Sequence, residues 1–280
     1  MATKKLNEVA TVGKRKDELP PGQELYRGRH DLPETAPSLR YLIFSSQRTG
    51  SNYLCRRLCN VKDRFGLPSE YLHPKAIAMM GRRLLPDAKP DERVPLGKYL
   101  RGLERVRTTA DGAFGIKVQP LQILALAQKD KKSLLNFIGR FDRIVLMTRR
   151  DKLGQAISGA IAAQTGKWFD DGKEPDLDAS QIASLFPAIA QNMARYIEEE
   201  RLILDIGRTV SKPLLRIEYE EIDQDGPAAF NGLVDFLTGG QVAGLVEEGK
   251  LPVTEKPPGK LAKDVRKRFL DYIGGTVRKK

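Results

Sequence analysis

An α/β fold with a largely parallel sheet and helices on both faces follows from three features of the sequence. Four short apolar runs recur along the chain, long helical patterns separate them, and the first run breaks into a Ser/Thr/Gly turn that leads directly into a helix. With 280 residues, 40% of them hydrophobic, the chain suffices for one large domain and leaves little for a second independent core.

Residues 1–38 carry many charges, several prolines (Pro20, Pro21, Pro33, Pro37) and no sustained apolar period. They are expected to form a basic, partly disordered arm ahead of a single domain over 39–280. The run Tyr41-Leu42-Ile43-Phe44 fits a strand buried on both faces, and it ends at the polar turn Ser45-Ser46-Gln47-Arg48-Thr49-Gly50. A helix follows, its face suggested by Tyr53, Leu54 and Leu58 between Arg56 and Arg57. Further strands fit Ala113–Val118, Arg143–Thr148 and Pro213–Glu218. Helical patterns over 121–128, 152–164 and 182–206 alternate with them, which favours parallel pairing. The proline- and charge-rich stretches 82–95 and 166–178 read as surface loops or lids.

The formal charge of +12, from 48 Lys+Arg against 36 Asp+Glu, raises the local concentration of anionic partners. Nucleotides, acidic glycans, nucleic acid and membrane surfaces all qualify, and charge alone does not choose. Part of the excess lies in the termini, at Lys4, Lys5, Lys14, Arg15, Lys16, Arg278, Lys279 and Lys280, where solvated tails suffice as an explanation. No stretch approaches the ~20 apolar residues of a membrane span, and the N-terminus is charged where a signal peptide is apolar. A cytoplasmic location is expected, with peripheral membrane contact left open and the oligomeric state unreadable. Cys55 and Cys59, four apart in one helix, are expected to be reduced helix residues.

The turn Ser45–Asn52 aims backbone N–H groups, a guanidinium and hydroxyls at one point, a ready anion site at a helix start. Gly50 permits close backbone approach, Arg48 offers paired charge-assisted bonds, and Thr49 and Ser51 add neutral donors. A Walker A loop needs an earlier glycine and a lysine that this turn lacks, which disfavours a nucleotide-dependent phosphotransferase. The third strand ends in Thr148-Arg149-Arg150-Asp151, and Ser158 about two turns into the next helix could join the arginines on a second phosphate.

Together these segments resemble the sulfotransferases that use 3′-phosphoadenosine-5′-phosphosulfate (PAPS), most closely the bacterial carbohydrate branch of trehalose, nodulation-factor and lipopolysaccharide sulfotransferases. Ser46-Gln47-Arg48-Thr49-Gly50-Ser51 and Asn52 look like the 5′-phosphosulfate loop, with Arg48 where the wider superfamily has lysine. Arg149-Arg150-Asp151, Gln155-Ala156-Ile157-Ser158 and Gln164-Thr165-Gly166-Lys167-Trp168 look like the 3′-phosphate segment. Pro68-Ser69-Glu70-Tyr71-Leu72 is similar to the branch's segment with a catalytic carboxylate, and Ile217-Glu218-Tyr219-Glu220-Glu221-Ile222 to the Tyr-Glu element near the adenine. The resemblance runs from about residue 40 to 270 and says nothing of the first 38. It implies a P-loop-like parallel sheet of about four to five strands with helices on both faces.

It further implies transfer of a sulfuryl group to a hydroxyl of a sugar or glycolipid acceptor, without a metal, because a sulfuryl group carries less charge than a phosphoryl group. Glu70 is the implied base, with His73, closer to neutrality, as the rival. Whether Arg149 or Arg150 is the main 3′-phosphate ligand stays open, since Arg149 fits the bacterial branch and Arg150 the superfamily spacing. Lys117, in a Gly-x-Lys setting, could meet sulfate or acceptor or be a surface lysine. Trp168, beside Phe169, offers a flat platform for a sugar or packs in the core. Lys256 and Lys260 could close over the 3′-phosphate. Acceptor specificity should lie in loops over 75–112 and 166–190. The reading from another class is a polyanion-binding module explained by charge alone, whereas the sulfotransferase reading expects no stable nucleic-acid partner.

Overall fold

A computed structural model describes residues 24–61, 64–86, 94–126, 131–168, 173–240 and 259–277. Its centre is a four-stranded, wholly parallel sheet of β1 (Leu39–Ser45), β2 (Ala113–Val118), β3 (Arg143–Thr148) and β4 (Leu214–Glu218), in the spatial order β2-β1-β3-β4. The apolar runs are continuous because both faces are covered, and β2 is buried along its whole length.

Alternate residues divide the core in two. Leu42, Phe44, Phe114, Ile116, Ile144 and Leu146 face α2 (Pro74–Leu84), α3 (Leu96–Arg107) and the end of α8 (Phe186–Thr209). Tyr41, Ile43, Val145, Met147 and Ile217 face α1 (Ser51–Asn60) and α9 (Tyr219–Thr238). A third cluster joins α6 (Lys152–Thr165), α7 (Ala179–Ser184), α8 and α10 (Lys260–Val277) through Ala156, Ile157, Ile189, Tyr196, Val265 and Phe269. Two short helices, α4 (Pro120–Leu126) and α5 (Lys131–Ile138), link β2 to β3.

The expected α/β architecture is present, with four strands and helices on both faces. The single helical pattern over 182–206 is two helices that meet at Leu185, with Asp178 capping α7 and Pro187 in the first turn of α8, where its missing N–H costs nothing. Much of 75–112, expected as loops, is α2 and α3, whose buried faces include Ile77, Met80, Leu100 and Leu103. Residues 24–38 of the expected arm lie against the domain: Leu25 and Tyr26 are buried, and Leu32 N donates to Val106 O at 3.0 Å. Cys55 and Cys59 are unbridged on α1. Among the described residues no helix is long and apolar enough to cross a membrane.

The order β2-β1-β3-β4 makes the chain leave β1 toward one edge and β3 toward the other. The carboxyl ends of β1 and β3 therefore flank a topological switch point, where loops diverge and leave a crevice.

Candidate active site

The loop Ser46-Gln47-Arg48-Thr49-Gly50 occupies one side of that crevice, and its shape is dictated by two left-handed residues, Arg48 (φ 60°) and Gly50 (φ 75°). A Cβ at Gly50 would lie 3.0 Å from Ile222 Cδ1 and 3.3 Å from the Tyr219 ring, so glycine lets α9 close against the loop. Arg48 has no such excuse, and an arginine held in this backbone region stores strain of the kind found at binding loops.

Side chains behind the loop fix it. Thr49 Oγ1 donates to Ser46 O at 3.1 Å, and Gln155 Nε2 on α6 donates to Ser46 Oγ at 2.9 Å and Gln47 O at 2.6 Å. Gln47 Oε1 accepts from Arg195 at 3.3 Å and from the Tyr196 hydroxyl at 3.4 Å, both on α8. Ser51 opens α1 and is buried, and Asn52 follows it.

The second side of the crevice comes from β3 and α6. Arg48 Nε donates to Ser158 Oγ at 2.8 Å, and its terminal nitrogen to Trp168 O at 2.7 Å. Arg149 donates to Arg48 O at 3.1 Å and lies 3.9 Å above the Tyr219 ring, a cation–π stack. Its Nε is buried without a hydrogen-bond partner among the described residues, a donor left for an anion. Burial holds the Arg149 pKa below the ordinary arginine value, against the opposing pull of Tyr219, Asp151 and Glu220. Arg150 turns away: its side chain is 67% exposed and pairs with Glu218 at 2.8 Å. Asp151 caps α6 through Gly154 N at 2.9 Å and pairs with Arg266 of α10.

A carboxylate lies beside the start of α1. Glu70 Oε1 is 2.6 Å from Lys117 Nζ, Glu70 Oε2 accepts from Gln122 at 3.1 Å, and Lys117 Nζ also donates to Asn52 Oδ1. Lys117 is inside β2 and 2% exposed, not a surface residue. Burial pushes the Glu70 carboxyl up, but Lys117, His73 and Gln122 together hold it below the ordinary carboxylate value, so it is ionised at neutral pH. His73 caps α2, its Nδ1 accepting from Lys75 N at 3.2 Å. Burial and neighbouring lysines lower its pKa, with Glu70 opposing, so the ring is neutral and Nε2 carries the proton.

The structure thus brings together Ser46–Asn52, Arg149, Ser158 and Tyr219 at the crevice, and joins Glu70 and Lys117 to it through Asn52. Trp168 contributes its carbonyl, and the residue is 41% exposed rather than in the core. Lys260 opens α10 on the surface, whereas Lys256 and Phe169 lie outside the described residues. Gln122, Arg195 and Tyr196 had no sequence signal, because each sits in a helical pattern where a polar residue reads as a solvent face. Gln155 lies in the segment likened to the 3′-phosphate segment, but nothing in its spacing showed that it reaches back to the loop.

An α/β domain that collects arginines, hydroxyls and a helix start at its switch point, next to an ionised carboxylate paired with lysine, has the chemistry of an anion site with a carboxylate beside it. The model of the Stf0 sulphotransferase family matches residues 40–229, and the chain belongs to that family. It is a sulfotransferase. It is similar to the sulfotransferase domain from the Synechococcus PCC 7002 olefin synthase, at 18% identity and a TM-score of 0.36, over 74% of this chain and 76% of that one. It is also similar to retinol dehydratase in complex with androsterone and inactive cofactor PAP, at 15% identity and a TM-score of 0.39, over 89% of this chain and 68% of that one. No curated protein sequence matches the chain.

Proposed function

We propose that the chain transfers the sulfuryl group of PAPS to a hydroxyl of a carbohydrate or glycoconjugate, with Glu70 as general base. The observation that carries the reading is the chain of contacts Glu70–Lys117–Asn52, which ties the carboxylate to the helix start behind the anion loop. The buried, unpartnered Nε of Arg149 beside Arg48 and Ser158 fits a phosphate, and the Tyr219 ring beneath Arg149 fits the neighbourhood of an adenine.

PAPS, when bound, supplies an activated sulfur–oxygen bond to phosphate. Arg48, Ser51 and the backbone amides of residues 48–51 stabilise the charge that arrives on the leaving phosphate oxygen, an electrostatic task for preorganised donors. Glu70 takes the proton of the acceptor hydroxyl as its oxygen bonds to sulfur and the bond from sulfur to the phosphate oxygen breaks. Lys117 keeps Glu70 ionised and points it, and its ammonium could meet the sulfuryl oxygens. His73 is a poor base here, since its acceptor nitrogen is spent on the cap of α2. No divalent metal has a part in this scheme. Trp168 offers the exposed ring over which a sugar could lie. A cytoplasmic location and a single domain over 39–280 fit this reading.

Calorimetric titration with adenosine 3′,5′-bisphosphate against AMP and ATP, in the presence of a chelator, tests it. Tight binding that needs the 3′-phosphate and weakens in Arg48→Ala and Ser158→Ala supports the site. Equal binding of AMP, or none of the three, would remove it.

A further inference from the structure

We propose that the segment Glu24–Asp31, together with Arg107, positions the catalytic carboxylate. This rests on the reading of Glu70 as the base. The family match begins at residue 40, so this segment lies outside it.

Residues 65–73, which carry Glu70, form neither helix nor strand. Their backbone carbonyls are instead held one after another. Tyr41 OH donates to Phe65 O at 2.6 Å, Tyr71 OH to Leu67 O at 2.5 Å, and Lys117 N to Ser69 O at 3.0 Å. Tyr26 OH donates to Glu70 O at 3.3 Å, and Tyr99 OH to Tyr71 O at 2.9 Å. A buried loop without ladder partners depends on such bonds for its shape, and here the tyrosines come from β1, α3, the loop itself and the N-terminal segment. Gly115 makes room for one of them, since a Cβ there would overlap the Tyr41 phenol.

Arg107 closes the arrangement. Its side chain is fully buried and donates from Nε to Tyr71 OH at 3.1 Å. The same guanidinium donates to Leu25 O at 2.8 Å, His30 O at 2.9 Å and Asp31 Oδ1 at 2.5 Å. One fork therefore holds the residue next to Glu70 and the N-terminal segment at once. Arg83 repeats the grip, donating to Tyr26 O at 3.0 Å and Asp31 at 2.8 Å. The Tyr26 ring packs on Tyr71 with centroids 6.0 Å apart. Placement of the carboxylate is thereby set partly from outside the matched domain.

The test compares Tyr26→Phe and Arg107→Lys with wild type and Glu70→Gln in the full chain. Three quantities are read: hydrogen exchange of the 65–73 amides, the Glu70 carboxyl titration by ¹³C NMR, and transfer from radiolabelled PAPS to simple disaccharides. Tyr26→Phe keeps its ring packing, so its melting temperature is expected to fall by only about 2–4 °C per kcal/mol of the lost hydrogen bond. Its 69–71 amides should exchange faster, its Glu70 titration should move up as the carboxylate slips from Lys117, and kcat should fall on the order of tenfold at unchanged KM for PAPS. Arg107→Lys should move the same readouts further. Wild-type exchange and an unmoved Glu70 titration in Tyr26→Phe would overturn the proposal. Full transfer by Glu70→Gln would instead overturn the base assignment, whatever Tyr26→Phe does to the loop.

Discussion

Arg48 Nε and Ser158 Oγ meet at 2.8 Å across 110 residues of sequence, joining the loop after β1 to the helix after β3. Each side chain thus orients the other at the point where the two sides of the crevice converge. Truncating either should weaken adenosine 3′,5′-bisphosphate by roughly ten- to hundredfold, the range for a lost hydrogen bond to a charged group. Arg48→Gly separates binding from strain: because φ is 60°, glycine relieves the backbone while removing the guanidinium. It should melt above Arg48→Ala by calorimetry, with about 1 kcal/mol between them, and bind as poorly.

Arg149 and Arg150 should differ sharply in the same titration. Arg149→Ala removes a buried guanidinium stacked on Tyr219 and is expected to cost about a hundredfold in affinity. Arg150→Ala should change affinity less than about threefold, because that side chain is 67% exposed and paired with Glu218.

The pH dependence of kcat/KM distinguishes the two candidate bases. Glu70 is held below the ordinary value of 4.5, so it stays ionised well into the acid range. The rate should stay level from about pH 7 to 5 and fall only below that, through the folded value of Glu70. His73→Ala should keep this profile while losing about 1 kcal/mol of stability with the α2 cap, and Glu70→Gln should abolish transfer. A fall that sets in nearer neutrality, with transfer lost in His73→Ala and kept in Glu70→Gln, would transfer the role to His73.

Glu199 on α8 gives a stability prediction of opposite sign to a paired carboxylate. Burial raises it from 4.5 to about 7, and Arg195 at 3.7 Å offsets this only in part. The folded state therefore favours the protonated form: the stability this contributes is complete below 4.5 and is lost as pH rises through about 7. Glu199→Gln should match wild type near pH 4 and exceed it at pH 8 by on the order of 1–3 kcal/mol, read from melting temperatures.

What the sequence made legible was what backbone physics writes locally. The strands Ala113–Val118 and Arg143–Thr148 have the bounds their apolar runs predict, because a strand covered on both faces is apolar along most of its length. The loop Ser46–Ser51 was readable because glycine and clustered donors have few other uses. Orientation was not readable. Arg149 and Arg150 are adjacent and chemically identical, and only the positions of Tyr219 and Glu218 separate them. Lys117 was equally ambiguous, since a buried lysine is tolerable only with a partner such as Glu70, distant in sequence. Residues 24–31 carried charge and no apolar period, yet Leu25 and Tyr26 are buried because Arg107 supplies the polar contacts that the segment cannot make alone.

The strand order has a consequence for divergence. The proposed cofactor contacts follow β1 and β3, the two central strands, whereas Lys117 rides on β2 at the rim of the sheet and Glu70 on a loop beside it. A mutation near the rim perturbs one neighbouring strand, and a mutation in the middle perturbs two. The loops around the proposed acceptor side can therefore drift or be redesigned while Glu70, Lys117 and the donor half stay fixed, so a lineage could acquire new acceptors without rebuilding the machinery that transfers the sulfuryl group.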